Sequence, residues 1–90
     1  MRNIQNGNGK FYIGDKEDNP SAEITYQKDA NGNLIVEHTF VSEELRGQGV
    51  AGKLVEELVQ FANQNGIKII PECSFAKMYI EKNNLQEILA

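Results

Sequence analysis

The hydrophobic period changes once along this chain, and the change limits the folds it can adopt. Residues 34–41, LIVEHTFV, alternate as a β-strand does. From residue 49 to residue 65 the apolar positions repeat at helical spacing, and residues 67–73, IKIIPEC, predict another short strand. A strand, a helix and a second strand in this order form a βαβ unit. We expect its strands to be parallel and its crossover to be right-handed.

The segments before this unit predict an antiparallel meander of three strands. KFYIG (10–14) and AEITYQ (22–27) are short and rich in β-branched and aromatic residues. The dipeptide Asn31-Gly32 is a hairpin signal, which connects 22–27 to the strand 34–41. Simple alternation along that last strand predicts one face with Leu34, Val36, His38 and Phe40.

The second half of the chain completes a mixed α+β domain over residues 1–90. Gly66 is placed to end the long helix as a left-handed cap, and Pro71 is placed to bend or end the strand 67–73. The segment SFAKMYIEKN (74–83) predicts a second, shorter helix with Ser74 as its N-cap.

Length, charge and cysteine content exclude several functional classes. Ninety residues make one small domain, and a net charge of −4 argues against a nucleic-acid-binding surface. The single cysteine, Cys73, has no internal disulfide partner, which suits a reducing cytoplasm. The sequence MRNIQNGNGK at the start has no apolar signal region, and no segment is long enough for a membrane span. We therefore expect a cytoplasmic protein.

The glycine-rich stretch RGQGVAGK partly fits two nucleotide-binding motifs. Gly47, Gly49 and Gly52 spell the G-x-G-x-x-G of dinucleotide-binding turns, but SEEL separates them from the strand that such a turn should follow directly. Gly47, Gly52 and Lys53 spell most of a Walker A loop, but Leu54 stands where a hydroxyl should bind Mg²⁺. Both interpretations are therefore disfavoured.

A third interpretation of the same stretch is a coenzyme A loop. Arg46 to Ala51 fit the R/Q-x-x-G-x-G/A pattern, in which backbone N–H groups at the start of a helix face a pyrophosphate. Glycines would let the backbone approach the phosphates, and Arg46 adds a positive charge. The motif alone leaves a second possibility equally open, a glycine-rich turn that merely starts a helix.

Three sequence blocks together resemble a known family. EHTFV (37–41), LRGQGVAGKL (45–54) and IIPECSF (69–75) are similar to the small, YjdJ-type branch of the GNAT superfamily of N-acetyltransferases. The resemblance implies a minimal GNAT-like fold with a meander, a βαβ unit and a C-terminal helix. It implies acetyl-CoA as cosubstrate, with pantetheine between splayed strands, and an amine acceptor. One departure is Asn83-Asn84, where members of this branch often have His-Pro.

The resemblance also implies which residues hold the coenzyme. Backbone groups around Thr39 would supply the oxyanion donor, and no metal ligand is implied. Lys53 and Lys77 are candidate partners for the coenzyme phosphates, although solvated surface lysines are common. The complete predicted set is Thr39, Phe40, Val41, Arg46, Gly47, Gln48, Gly49, Val50, Ala51, Gly52, Lys53, Ser74, Phe75 and Lys77.

Three side chains are candidates for chemistry. Cys73 is a possible nucleophile or a buried packing residue, and His38 is a possible base or a satisfied core histidine. Together they suggest a pair across neighbouring strands in which His38 favours the Cys73 thiolate. The acetyl group would then pass through Cys73, or the acceptor would attack directly with His38 as base. Tyr79 would protonate the departing thiolate, or would simply pack.

The acceptor is less well specified than the coenzyme. The expected partner is a small-molecule or peptide amine, bound by a monomer, with no nucleic acid or membrane involved. Two other functions stay open at this level. One is a coenzyme A-binding module without efficient catalysis, and the other is a cofactor-free protein-interaction domain.

Overall fold

Two helices pack on one face of a five-stranded sheet in the part of the chain that the computed structural model describes, residues 3–90. The sheet order follows the chain order; β1 to β4 are antiparallel neighbours, and β5 is parallel to β4. Short 3₁₀ segments cover Glu43–Leu45 and Gln86–Ile88. The elements are β1 (Gln5–Gly7), β2 (Lys10–Ile13), β3 (Ala22–Lys28), β4 (Leu34–Val41), α1 (Val50–Gln64), β5 (Ile69–Pro71) and α2 (Ser74–Lys82).

The predicted fold class is confirmed, with three differences in detail. The meander has four strands, because β1 precedes the three predicted ones and pairs with β2. The last strand is shorter than predicted and covers only Ile69–Pro71. Cys73, rather than Ser74, is the N-cap of α2, and its side chain makes no capping hydrogen bond.

The hydrophobic core lies between the sheet and the two helices. The inner face of the sheet contributes buried side chains such as Ile24 and Val36, and α1 contributes Leu54 and Leu58 from one stripe. Ile80 brings α2 into the same cluster. Gly66 has a φ of 66°, so the left-handed end predicted for α1 is confirmed. None of the helices in residues 3–90 is long and apolar enough to cross a membrane.

The hairpin between β3 and β4 is held by one carboxylate. Asp29 Oδ1 accepts hydrogen bonds from the amides of Asn31 (2.8 Å) and Asn33 (2.9 Å). These bonds, the one from Asn33 foremost, lower the pKa of Asp29 below its ordinary value. Gly32 has a φ of 85°, a conformation that suits glycine and explains the predictive value of Asn31-Gly32.

Candidate functional site

A β-bulge interrupts β4 in its middle. His38 pairs with Thr25 and Val36 pairs with Tyr26, so two neighbouring residues of β3 face three residues of β4, and Glu37 is the extra one. A bulge of this kind bends its strand and resets the alternation of side chains beyond it. The pattern predicted from simple alternation therefore holds only up to Val36.

Beyond the bulge the odd-numbered residues of β4 face inward. Thr39 lies opposite Ile24, which is completely buried, and Val41 lies opposite the equally buried Ala22. His38 and Phe40 are exposed and lie on the outer face. The predicted single face with Val36, His38 and Phe40 is therefore wrong, because one extra residue exchanges the two faces of a strand.

The hydrogen-bonded pairing between β4 and the chain that follows β5 stops midway along β4, which leaves a gap in the ladder. The parallel pairing ends at Val36 and Pro71, and the amides of Glu72 and Cys73 both donate to the Val36 carbonyl, at 2.9 and 3.1 Å. Cys73 then starts α2, while residues 37–41 continue past the last β5 partner. The ladder therefore ends at the bulge, which is where the resemblance implies a splay.

Backbone donors point into this gap. The amide of Ser42 donates to Ser21 on the β3 side, at 2.8 Å. Because successive amides of a strand point to opposite sides in an antiparallel ladder, we infer that the amides of Thr39 and Val41 point away from β3 and into the gap. These are the predicted oxyanion donors.

The structure does not bring the predicted pair of His38 and Cys73 together. His38 lies on the outer face, whereas Cys73 is half-buried and packs against the core beneath the inner face. The side chain that reaches Cys73 is Thr39, whose Oγ1 lies 3.5 Å from Sγ. The bulge explains the exchange, since it turns Thr39 inward and His38 outward.

The glycine-rich loop turns sharply before α1. Arg46 is extended, while Gly47 and Gly49 have φ values of 80° and 73° in the left-handed region that glycine tolerates best. Gly49 is the N-cap and offers no side-chain acceptor. Within residues 3–90, no acceptor satisfies the amides of residues 47–52. The start of α1 thus presents a row of free N–H groups with the positive end of the helix dipole.

The three glycines of the loop have different reasons to be glycine. A Cβ atom built on Gly47 or Gly49 would meet nothing within 4 Å, so both flank open space. A Cβ atom on Gly52 would lie 2.7 Å from Cε2 of Tyr79. Gly52 therefore allows α1 and α2 to approach each other.

Two adjoining pockets extend from this loop. The first, of about 260 Å³, lies over the loop between the end of β4 and Phe75, and the second, of about 510 Å³, lies in the groove between α1 and α2. Gly49, Gly52 and Phe75 line both. Predicted coenzyme residues that line the first are Val41, Arg46, Gly47, Gly49, Val50, Ala51, Gly52 and Phe75, and Lys53 lines the second.

Comparison with known proteins identifies the family of this chain. The family described as GCN5-related N-acetyl-transferase matches residues 10–88, most of the chain. The chain belongs to the GCN5-related N-acetyltransferase (GNAT) family. It is similar to the solution structure of a GCN5-like protein from Staphylococcus aureus, named as a candidate N-acetyltransferase, with 47% identity and a TM-score of 0.78 over 97% of this chain and 85% of that one.

A second solved structure shares the fold of this chain. It is an integron cassette protein from the mobile metagenome of Cole Harbour Salt Marsh, with 17% identity and a TM-score of 0.52 over 72% of this chain and 45% of that one. A comparison with curated proteins gave no match.

Several residues predicted from the GNAT pattern have other contacts. Arg46 Nε donates to the Val41 carbonyl at 3.1 Å, which ties the loop to the end of β4. Gln48 Nε2 donates to the Glu44 carbonyl at 3.1 Å, so Gln48 offers the site its amide rather than its side chain. Neither pocket is lined by Thr39, Phe40, Gln48, Ser74 or Lys77.

The helix groove also contains residues that the sequence analysis missed. Met78, which is 47% exposed, and Lys82 line it from α2. They follow Phe75 by three and seven residues, the spacing of one helix face, so helical periodicity could have revealed them. Glu56 lines the groove from α1.

Tyr79 is bound to Glu56 across the helix groove. Its hydroxyl donates to Glu56 Oε1, and its ring packs against Phe75 with centroids 6.0 Å apart. The hydrogen bond to this carboxylate, with smaller contributions from desolvation and charge, raises the pKa of Tyr79 to about 12. This arrangement favours the packing role over that of a proton donor to a thiolate, because Glu56 disfavours loss of the phenol proton.

We expect Glu56→Gln to lower the pKa of Tyr79 from about 12 toward its ordinary value of 10.0. The carboxylate opposes ionisation of the phenol, so its stabilising contribution is present below about pH 10 and is lost as the pH rises toward 12. Ultraviolet titration of phenolate follows the change without tryptophan absorbance, since the chain has no tryptophan. Glu57→Gln, one residue away, is the control. An unchanged titration in Glu56→Gln would contradict the assigned pair.

Proposed function

We propose that this GNAT-family protein is an N-acetyltransferase that transfers the acetyl group of acetyl-CoA to an amine. The observation that carries the proposal is the loop before α1. Its amides over residues 47–52 are free of acceptors in the described chain, and Gly47 and Gly49 face open space. A phosphate-bearing ligand fits such a helix start, because the N–H groups and the helix dipole both favour anions.

The residues around the loop fit the remaining parts of coenzyme A. Arg46 would add a charge-assisted bond to the pyrophosphate. The groove between α1 and α2 offers Lys53 and Lys82 for the nucleotide phosphate and Met78 as an apolar surface.

The gap between β4 and Cys73 would take the pantetheine arm. Acetyl-CoA supplies a thioester, whose carbonyl oxygen gains negative charge during transfer, and the Thr39 and Val41 amides would stabilise that charge.

Two routes for transfer are possible under this proposal, and they would use opposite faces of the sheet because the bulge puts His38 and Cys73 on different faces. His38 is exposed on the outer face, where it would take the proton of an amine that attacks directly. Cys73 lies on the inner side of the gap. In the relay route its Sγ bonds to the acetyl carbon as the bond to the coenzyme sulfur breaks, and its proton leaves with that sulfur. The amine then displaces Sγ and gives up a proton.

Two observations favour an alternative, a coenzyme A-binding module without efficient catalysis. The His38 imidazole has no hydrogen-bond partner within residues 3–90, whereas a catalytic base is commonly oriented by a neighbouring group. The Tyr79 proton is directed at Glu56 rather than toward the gap. This alternative keeps the loop and its ligand, and differs only in turnover.

Calorimetric titration with acetyl-CoA tests the coenzyme site. We expect Arg46→Ala to weaken binding by about 1–2 kcal/mol, at the lower end for a charge-assisted bond because the side chain is exposed. Lys28→Ala, which removes a charge at the far end of β3, controls for net charge. Equal affinities in all three proteins would remove Arg46 from the site, and no binding to the native protein would overturn the proposal.

Mass spectrometry of acetylated amines then separates the enzyme from the binding module and distinguishes the routes. Loss of transfer in Cys73→Ala, with an acetylated Cys73 in the native protein, supports the relay. Loss in His38→Gln alone supports direct attack. Binding without transfer to any member of a panel of small amines and peptides supports the binding module.

A further inference from the structure

The geometry points to Thr39 as the positioning residue for Cys73, through a hydrogen bond between its hydroxyl and the cysteine sulfur. Thr39 Oγ1 lies 3.5 Å from Sγ, within hydrogen-bond range for sulfur, and both side chains are partly buried. Within the described chain this is the only side-chain hydrogen bond of either residue. The hydroxyl is therefore free to donate to the sulfur.

The contact depends on the fold at long range. The bulge at Glu37 turns Thr39 inward, and the end of the β5 ladder at Pro71 leaves Cys73 opposite it. Cys73 is the N-cap of α2, so its sulfur also lies at the positive end of a helix. A thiolate accepts hydrogen bonds, and a donor fixed beside it stabilises the anion. The role in transfer rests on the function proposed above, whereas the effect on the thiol does not.

Alkylation of Cys73 by iodoacetamide measures this effect without coenzyme. The thiolate forms the new carbon–sulfur bond as iodide leaves, and Cys73 is the chain's single cysteine, so the signal has one source. In general, one hydrogen bond to an anion changes an equilibrium constant about two- to tenfold. A less stabilised thiolate is also a stronger nucleophile, and this offsets about half of the change in rate on a logarithmic scale. We expect Thr39→Val, which keeps the branched shape, to react about 1.4- to 3-fold more slowly.

Two further variants identify the hydroxyl as the cause. Thr39→Ser keeps the hydroxyl and should restore the native rate. Thr25→Val makes the same chemical change on the neighbouring strand, where Thr25 Oγ1 contacts the His38 carbonyl, and should not alter the rate. Thermal unfolding of each variant checks that the fold is intact.

Three results would overturn the inference. Thr39→Val could react as fast as the native protein or faster, Thr39→Ser could be as slow as Thr39→Val, or Thr25→Val could slow the reaction equally. Slower alkylation in His38→Gln with an unchanged rate in Thr39→Val would assign the role to His38, as the sequence suggested. A protein that shows the expected rates but binds no acetyl-CoA would refute the proposed function and leave the Thr39 contact intact.

Discussion

Gly49→Val is expected to abolish acetyl-CoA binding. Gly49 lines both pockets, and a side chain built there enters open space that the proposed pyrophosphate needs. Displacing the phosphate from two amides removes about 3–6 kcal/mol of charge-assisted hydrogen bonding, more than a hundredfold in Kd. Calorimetric titration measures the loss directly.

Valine would also strain the loop, so a second variant separates the two causes. The φ of Gly49 is 73°, which a β-branched residue adopts poorly. Asparagine tolerates this conformation, so Gly49→Asn should keep the loop and still fill the space. Gly32→Asn places the same residue at a φ of 85° with open space around it in the β3–β4 hairpin, and should bind normally. Normal affinity in Gly49→Asn would mean that the ligand does not occupy this space.

The elements with strongly periodic hydrophobic residues were predictable from the sequence. Leu54, Leu58 and Ala62 are among the α1 residues that lie in the core, as their spacing requires, and the limits of β4 agree with the predicted strand. β1 was missed because Gln5, Asn6 and Gly7 have low strand propensity. That strand pairs with β2 across the two-residue turn Asn8-Gly9, a hairpin signal of the same kind as Asn31-Gly32 that the sequence analysis missed.

The bulge is the feature that most changed the predicted site. LIVEHTFV contains apolar neighbours at Ile35-Val36 and Phe40-Val41, so its pattern fits either face beyond residue 37. Only the pairing with β3, where Glu37 has no partner, decides between them. The extra residue in the bulge therefore places Thr39, rather than His38, beside Cys73. The loop glycines were predictable from spacing because left-handed backbone is a local requirement.

Gly52, the third loop glycine, is glycine for a different reason, which is its close contact with α2. We expect Gly52→Val to destabilise the protein by about 2–3 kcal/mol, the range for overpacking a fixed contact. A Cβ atom there would lie 2.7 Å from Tyr79 Cε2, and the Tyr79 ring is held by its bond to Glu56 and by Phe75. Urea unfolding measures the loss.

A double-mutant cycle with Tyr79→Ala tests whether the ring causes that loss. With the ring removed, valine at position 52 should be nearly neutral, since valine is at least as favourable as glycine in a helix. The two substitutions should therefore couple by about 2 kcal/mol, within the range for residues in contact. If Gly52 is needed only so that a phosphate can approach the backbone, Gly52→Val should leave the stability unchanged with or without Tyr79→Ala. It should then lower only the affinity for acetyl-CoA. Because the Gly52 contact is with a side chain of α2, we expect the stability loss to dominate.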